Sequence, residues 1–189
     1  GNAQLLVEVA GDHAIALRRA PDLHAACAEA WGPSDGQPQL VALRELQGLV
    51  GAHEWRKAGV EIPALGPAPG NRIHPHYGVF SPVRGEYLDL LARAPLPPQR
   101  TLAFDVGTGT GVVAALLARR GIARVVATDL NPRALACARD NLGRLGVQDR
   151  VELLEADLFP PGRAARVVCN PPWVPARPVV GAVTPTGMA

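Results

Sequence analysis

The sequence predicts an α/β fold: a helical N-terminal lobe followed by a core with a parallel sheet. Three observations carry this reading. From residue 101 onward, short apolar strands alternate with apolar-striped helices, the rhythm of βαβ units. Glycines at alternate positions, Gly107, Gly109 and Gly111, join the first strand of that series to the first helix. Successive strands each deliver a polar motif at their carboxyl ends, the edge at which open parallel sheets bind ligands.

Taken in order, residues 4 to about 60 read as helical, because Leu5, Leu6 and Val9, then Ile15 and Leu17, then Leu40, Leu43, Leu46 and Val50 recur at helix-like spacing. Turn chemistry makes Gly32 to Gly36 a loop within that lobe. The Pro- and Gly-rich stretch from Pro63 to Gly70 closes it, so the lobe is taken as residues 1–70 and residues 71–100 as a connecting segment with one helix. Ile73 to Pro82 reads as extended. Gly85 to Ala94 reads as a helix, closed by Pro95, Pro97 and Pro98.

The core is taken as residues 101–189. Thr101 to Val106 is a strand, and Val112 to Arg120 a helix ended by Gly121. Arg124 to Asp129 is a second strand. Asn131 caps the next helix, with Pro132 at its first position and Leu135, Leu142 and Leu145 on one stripe. Val151 to Asp157 and Arg166 to Cys169 are the third and fourth strands.

Composition narrows the function. A net charge of +2 gives no general case for nucleic acid. Lys57 is the only lysine among many arginines, a bias expected of a GC-rich coding sequence. Cys27, Cys137 and Cys169 are far apart and odd in number, so neither a disulfide framework nor a cysteine-rich zinc site is indicated, and a reducing cytoplasm is the simplest setting. Cys137 and Cys169 read as small core residues, and Trp31 and Trp55 as packing anchors of the lobe. His74 and His76 read as exposed or substrate-loop residues, without helical ligand spacing or a nearby acid pair, so no metal is expected. No apolar run reaches the roughly 20 residues of a membrane span, and no signal peptide is evident.

The polar motifs carry the chemistry. A dinucleotide fingerprint, G-x-G-x-x-G, would need a glycine at position 112, which is Val112, so an NAD-dependent oxidoreductase is disfavoured. Asp129 can accept both hydrogen bonds of a ribose diol. Asp157 stands at the next strand end, and Asn170-Pro171-Pro172-Trp173 follows the fourth strand. Each alone could be a helix cap or a plain turn. Their convergence on one sheet edge is what points to a ligand site.

The glycine pattern with Asp105 two residues ahead, together with these motifs, resembles class I S-adenosylmethionine-dependent methyltransferases over residues 101 to 175. The branch most similar holds the release-factor glutamine methyltransferases and the small-domain ribosomal RNA guanine methyltransferases, marked by Asn-Pro-Pro followed by an aromatic. The resemblance implies a Rossmann-like core of sheet order 3-2-1-4 with S-adenosylmethionine as cofactor. Asp105, Gly107, Thr108, Gly109 and Gly111 would hold its methionine part, Asp129 with Leu130 beside it the ribose, and Asp157 and Leu158 the adenine; Asn170 borders the same site. The lobe and the segment Gly78 to Glu86 are similar to the glutamine methyltransferases, which place an N-terminal helical domain before the core. The family core has seven strands, and this chain ends about 16 residues after Trp173 without a pattern for the last three, so the core reads as incomplete at its C-terminus.

The fourth motif has a mechanism. A planar NH₂ nitrogen is a weak nucleophile because its lone pair is delocalised. The Asn170 side-chain oxygen and the Pro171 carbonyl can accept its two hydrogens and orient it. Consecutive prolines fix that backbone, and Trp173 can stack on the flat acceptor. The expected function is methylation of a protein glutamine amide, with a substrate resembling a translation release factor preferred over nucleic acid. The alternatives are methylation of an exocyclic amine of adenine or guanine in RNA or DNA, and a cofactor-binding module without turnover.

Overall fold

The computed structural model describes residues 5–80, 85–157, 159–160 and 162–169. Its core is a four-stranded parallel sheet of order β7-β6-β5-β8, where β5 is Leu102–Val106, β6 Arg124–Asp129, β7 Val151–Glu155 and β8 Arg166–Cys169. This is the expected order 3-2-1-4. The helices α4 (Val112–Arg119) and α5 (Pro132–Arg144) make the crossovers.

Alternation along the strands sets the two sheet faces. Ala103 of β5 and Val125 and Ala127 of β6 point to the helix side, where they pack with α4, Leu142 and Leu145. Phe104, Val106 and Val126 point to the other face, joined by Leu102, Leu154 and Ala164. Every residue of α4 from Val112 to Ala118 is buried, which is why that helix reads as apolar all round. Asn131 caps α5 as expected: its side chain accepts from the Arg133 backbone N–H at 2.9 Å, with Pro132 at the first turn.

The lobe departs from expectation. It contains α1 (His24–Trp31) and α2 (Leu43–Ala58), but also two strands, β1 (Leu6–Val9) and β2 (Gln39–Ala42), paired antiparallel with Leu6 opposite Ala42 and Val9 opposite Gln39. The lobe is therefore not purely helical. The residues of β1 alternate exposed and buried, with Val7 and Val9 inward, so the relevant period is 2 and not 3.6. The lobe core gathers Val7, Val9, Leu23, Cys27, Val41, Leu46 and Leu49. Trp31 packs against it, whereas Trp55 is 46% exposed and anchors nothing there.

The Pro/Gly-rich stretch is packed against the core. A short antiparallel pair, β3 (Val60–Glu61) with β4 (Arg72–Ile73), brackets it, and Ile62, Leu65 and Ile73 pack into the cluster that holds α4. Among its described residues, the expected extended segment is strand at Ile73, the end of β4; a turn follows, with Val79 N–H donating to the His76 carbonyl at 3.1 Å. Helix α3 (Glu86–Arg93) buries Leu88 in the same cluster.

Arginines stitch these pieces together. Arg119 donates to the carbonyls of Leu65 at 2.6 Å, Gly70 at 2.7 Å and Leu145 at 3.1 Å. Arg120 donates to those of Leu91 and Ala94, at 2.5 and 2.6 Å, at the end of α3. One planar fork satisfies several terminal carbonyls at once, which an ammonium cannot do in that geometry. Among the described residues, no helix is long and apolar enough to cross a membrane.

Candidate functional site

The carboxyl ends of β5 and β6 meet at the glycine loop. Gly107, Gly109 and Gly111 have φ of 74°, 54° and 82°, a region that favours glycine. At Gly111 there is a second constraint: a Cβ there would lie 3.1 Å from Cα and Cβ of Ala138 on α5. The loop is drawn onto β6 by the amides of Gly107 and Thr108, both donating to the Thr128 carbonyl at 2.9 and 2.8 Å.

Asp105 lies inside this turn and is 2% exposed. Its Oδ2 accepts from the Thr108 hydroxyl at 2.7 Å and from the Ala114 amide at 3.0 Å. Gly111 is the N-cap of α4 and has no side chain to offer, so Asp105 caps the third amide of that helix from a distance. Burial pushes its carboxyl up to about 6, against the pull of those two donors, and the charge of Asp129 adds to the rise. Thr108 is itself buried, with its hydroxyl turned inward to Asp105 and not toward the open edge.

Asp129 is half-buried at the end of β6. Its Oδ2 accepts from the Gly109 amide at 3.0 Å and its Oδ1 from the Asn131 amide at 2.9 Å. Two carboxylate oxygens carry about four acceptor sites, so each has capacity for one further donor. Leu130 is 59% exposed beside it, and Asp157 is exposed just beyond β7. The structure thus brings Asp105, Gly107, Thr108, Gly109, Gly111, Asp129 and Leu130 to one edge. Leu158, Asn170, Pro171 and Trp173 lie outside the described residues.

Sequence reasoning missed the segment over the loop. The Phe80 carbonyl lies 3.7 Å from where a Cβ of Gly109 would be. His74 and His76 are part-buried and paired, not exposed: His74 Nδ1 meets the Arg56 carbonyl at 2.7 Å, and His76 Nε2 meets Asp140 at 3.5 Å. Burial lowers the His76 pKa, with the Arg56 charge adding to that and Asp140 opposing it. Glu29 of α1 accepts from the Tyr77 amide at 3.3 Å and pairs with His53 at 2.9 Å and Arg56 at 3.1 Å. Arg133, on the first turn of α5, donates to the Ala30 carbonyl at 2.6 Å and lies 5.9 Å from the Tyr77 ring centroid. These partners are tens of residues apart in sequence. The one local signal is Asn141, a poor helix former inside an otherwise regular helix.

Two cysteines differ. Cys137 is buried, and burial pushes its thiol up to about 11, so it is inert. Cys169, expected in the core, is exposed, on the same face of β8 as the exposed Val167. Among the described residues, no three His, Cys, Asp or Glu side chains gather as a metal site.

A family model described as methyltransferase small domain matches residues 70–185. Similar curated proteins include a release factor glutamine methyltransferase of Cereibacter sphaeroides, 44% identical over 46% of this chain and 32% of its own length. They also include a ribosomal protein L11 methyltransferase of Pelotomaculum thermopropionicum, 45% identical over 35% of this chain and 22% of its own. A tRNA1(Val) (adenine(37)-N6)-methyltransferase of Bacteroides thetaiotaomicron is 36% identical over 37% of this chain and 32% of its own. The chain spans about a third or less of the length of these relatives.

Proposed function

The chain belongs to the methyltransferase small domain family, and on that premise we propose that it binds S-adenosylmethionine at the glycine-loop edge and serves transfer of its methyl group to a protein glutamine amide. The observation that carries the cofactor reading is the pairing of two carboxylates at that edge. Asp105 accepts from Thr108 and Ala114 on one side of the glycine loop, and Asp129 from the Gly109 and Asn131 amides on the other. Such a field disfavours a dinucleotide's diphosphate and suits a ligand bearing a sulfonium and an ammonium.

The residues fit that ligand in three ways. At Gly109 the φ of 54° favours glycine, and among the described residues the atom nearest to where a Cβ would lie is the Phe80 carbonyl oxygen, at 3.7 Å. Asp129 keeps acceptor capacity for a diol after serving the Gly109 and Asn131 amides. Leu130 offers exposed apolar surface, and Asp157 an exposed carboxylate for an adenine amino group. When bound, S-adenosylmethionine supplies an electrophilic methyl group on sulfur. The chain's part is to hold and orient: Asp105 and the loop the amino-acid end, Asp129 the ribose, Asp157 and Leu158 the base. Asn170 and the Pro171 carbonyl would accept hydrogen bonds from the NH₂ of the methyl acceptor, and Trp173 would stack on it. Positioning of this kind is worth much of the rate in an in-line displacement.

The glutamine acceptor is supported by the Asn170-Pro171-Pro172-Trp173 motif and by the release-factor enzyme among the relatives. The tRNA adenine enzyme among them makes an exocyclic amine the competing acceptor. A tritiated-methyl transfer assay with release factor and structured RNA in competition decides between them; label entering RNA alone overturns the amide reading. Calorimetry tests the cofactor. S-adenosylhomocysteine should bind and NAD should not, and the reverse would remove the basis of the proposal. Asn170→Ala should abolish transfer while leaving cofactor affinity within a few-fold, because its contact matters in the transition state. Near-normal turnover would make the motif a plain turn.

A further inference from the structure

We infer that Asn141 is a positioning residue that couples the segment His74–Phe80 to the glycine loop, so that the shape of the cofactor site depends on a side chain that touches no ligand. The inference rests on the glycine loop being the cofactor site.

Asn141 is fully buried in the last turn of α5. Its side chain serves three pieces of chain at once. Oδ1 accepts from the His74 amide at 2.7 Å. Nδ2 donates to the His74 carbonyl at 3.2 Å and to the Thr110 carbonyl at 3.0 Å, with Cys137 Sγ at 3.4 Å. The amide therefore pairs with both backbone groups of His74 as a neighbouring strand would. It also reaches the loop between Gly109 and Gly111. At its other end, the segment returns to the loop through the Phe80 carbonyl beside Gly109. Other anchors of the segment run to α2, α5 and the lobe: His74 to the Arg56 carbonyl and to Cys137 Sγ, His76 to Asp140, Tyr77 to Glu29 and Arg133. Of these contacts, the Asn141 amide is the one that bonds segment and loop together. Removing its donors leaves the Thr110 carbonyl, next to two glycines with no side chains of their own, without the bond that sets its direction. A looser loop must be ordered by the ligand on binding, which lowers affinity.

A purely structural role would lower global stability and nothing more, so the test reads local behaviour. In the unmodified 189-residue chain, hydrogen exchange is compared with and without S-adenosylhomocysteine. Protection should appear in residues 76–80 together with 107–111; protection confined to 107–111 overturns the coupling. Asn141→Asp is the near-isosteric variant. Ionised, its carboxylate keeps the acceptor and loses both donors. Its dissociation constant for S-adenosylhomocysteine at about pH 8, relative to the native chain, should rise by at least about tenfold. That ratio should shrink as pH falls and the new carboxyl takes up a proton, which restores one donor. Exchange should rise in residues 76–80 and 107–111 while α2 keeps its protection. Native affinity in the folded variant, or a uniform rise in exchange, refutes the inference. If the variant does not fold, the unmodified chain's exchange decides. If the native chain does not bind the nucleoside, the cofactor assignment fails, and ligand-free exchange in the variant still judges the coupling.

Discussion

Replacing Asp105 by Asn should stabilise the fold above neutral pH and weaken the site. The buried carboxyl has its pKa raised from 3.8 to about 6. Above pH 6 it is ionised in both folded and unfolded chains, but the folded state bears the cost of holding the charge out of water. At about 1.36 kcal/mol for each pH unit, a rise of about two units is worth about 3 kcal/mol against the fold. The sign follows from proton binding. Between about pH 4 and 6 the folded chain holds the proton and the unfolded chain has lost it, so stability falls as pH rises through that window. Below it the penalty is gone. The amide of Asp105→Asn can place its oxygen where Oδ2 accepts from Thr108 and Ala114, so the remote cap on α4 survives. Urea titration should therefore show the variant about 2–3 kcal/mol more stable than the native chain at pH 8, and equal to it near pH 4. Its affinity for S-adenosylhomocysteine should fall over the same upper range, since a neutral amide offers no field to an ammonium. A variant no more stable than native at pH 8 would refute the claim that this charge is held at a cost.

Other outcomes follow from the same geometry. Gly111→Ala combines φ of 82° with a Cβ 3.1 Å from Ala138, and should lower stability by about 1–3 kcal/mol in thermal melts; an unchanged midpoint would mean the loop has room to move. Asp129→Ala should weaken S-adenosylhomocysteine binding at least about tenfold, since each charge-assisted bond to a diol is worth about 1.5–3 kcal/mol. Its melting curve must be measured beside it, because the same carboxylate holds the Gly109 and Asn131 amides. An unaltered constant would reduce Asp129 to a loop cap.

The core was readable because each of its signals is local. The run from Leu102 to Val106, the glycines after it, and Asn131-Pro132 at the start of α5 each state their conformation within a few residues. The strands of the lobe were not, because they are four residues long and gain meaning only from each other. Leu6 faces Ala42 across 36 positions, and β2 runs into α2 without a side-chain cap, so two elements merged into one apparent periodicity. The candidate site was legible in its residues but not in its wiring. Asp105 stands where the motif puts it, yet the sequence does not say that it is buried and caps α4. His74 and His76 looked like surface residues because their partners, Arg56 and Asp140, are brought to them only by the fold.

The arginine clasps give the molecule a useful chemical asymmetry. The guanidinium groups of Arg119 and Arg120 are committed to carbonyls that close helix and loop ends. Lys57, the single lysine, sits exposed on α2 in a surface pair with Glu54. Amine-directed acylation thus has one side-chain target, located in the lobe, and spares the groups that cement the core. A dye attached there would mark the lobe and leave the chemistry of the core untouched. A dicarbonyl reagent that reached Arg119 and Arg120 would instead free the carbonyls of Leu91 and Ala94 at the end of α3 and of Leu145 at the end of α5.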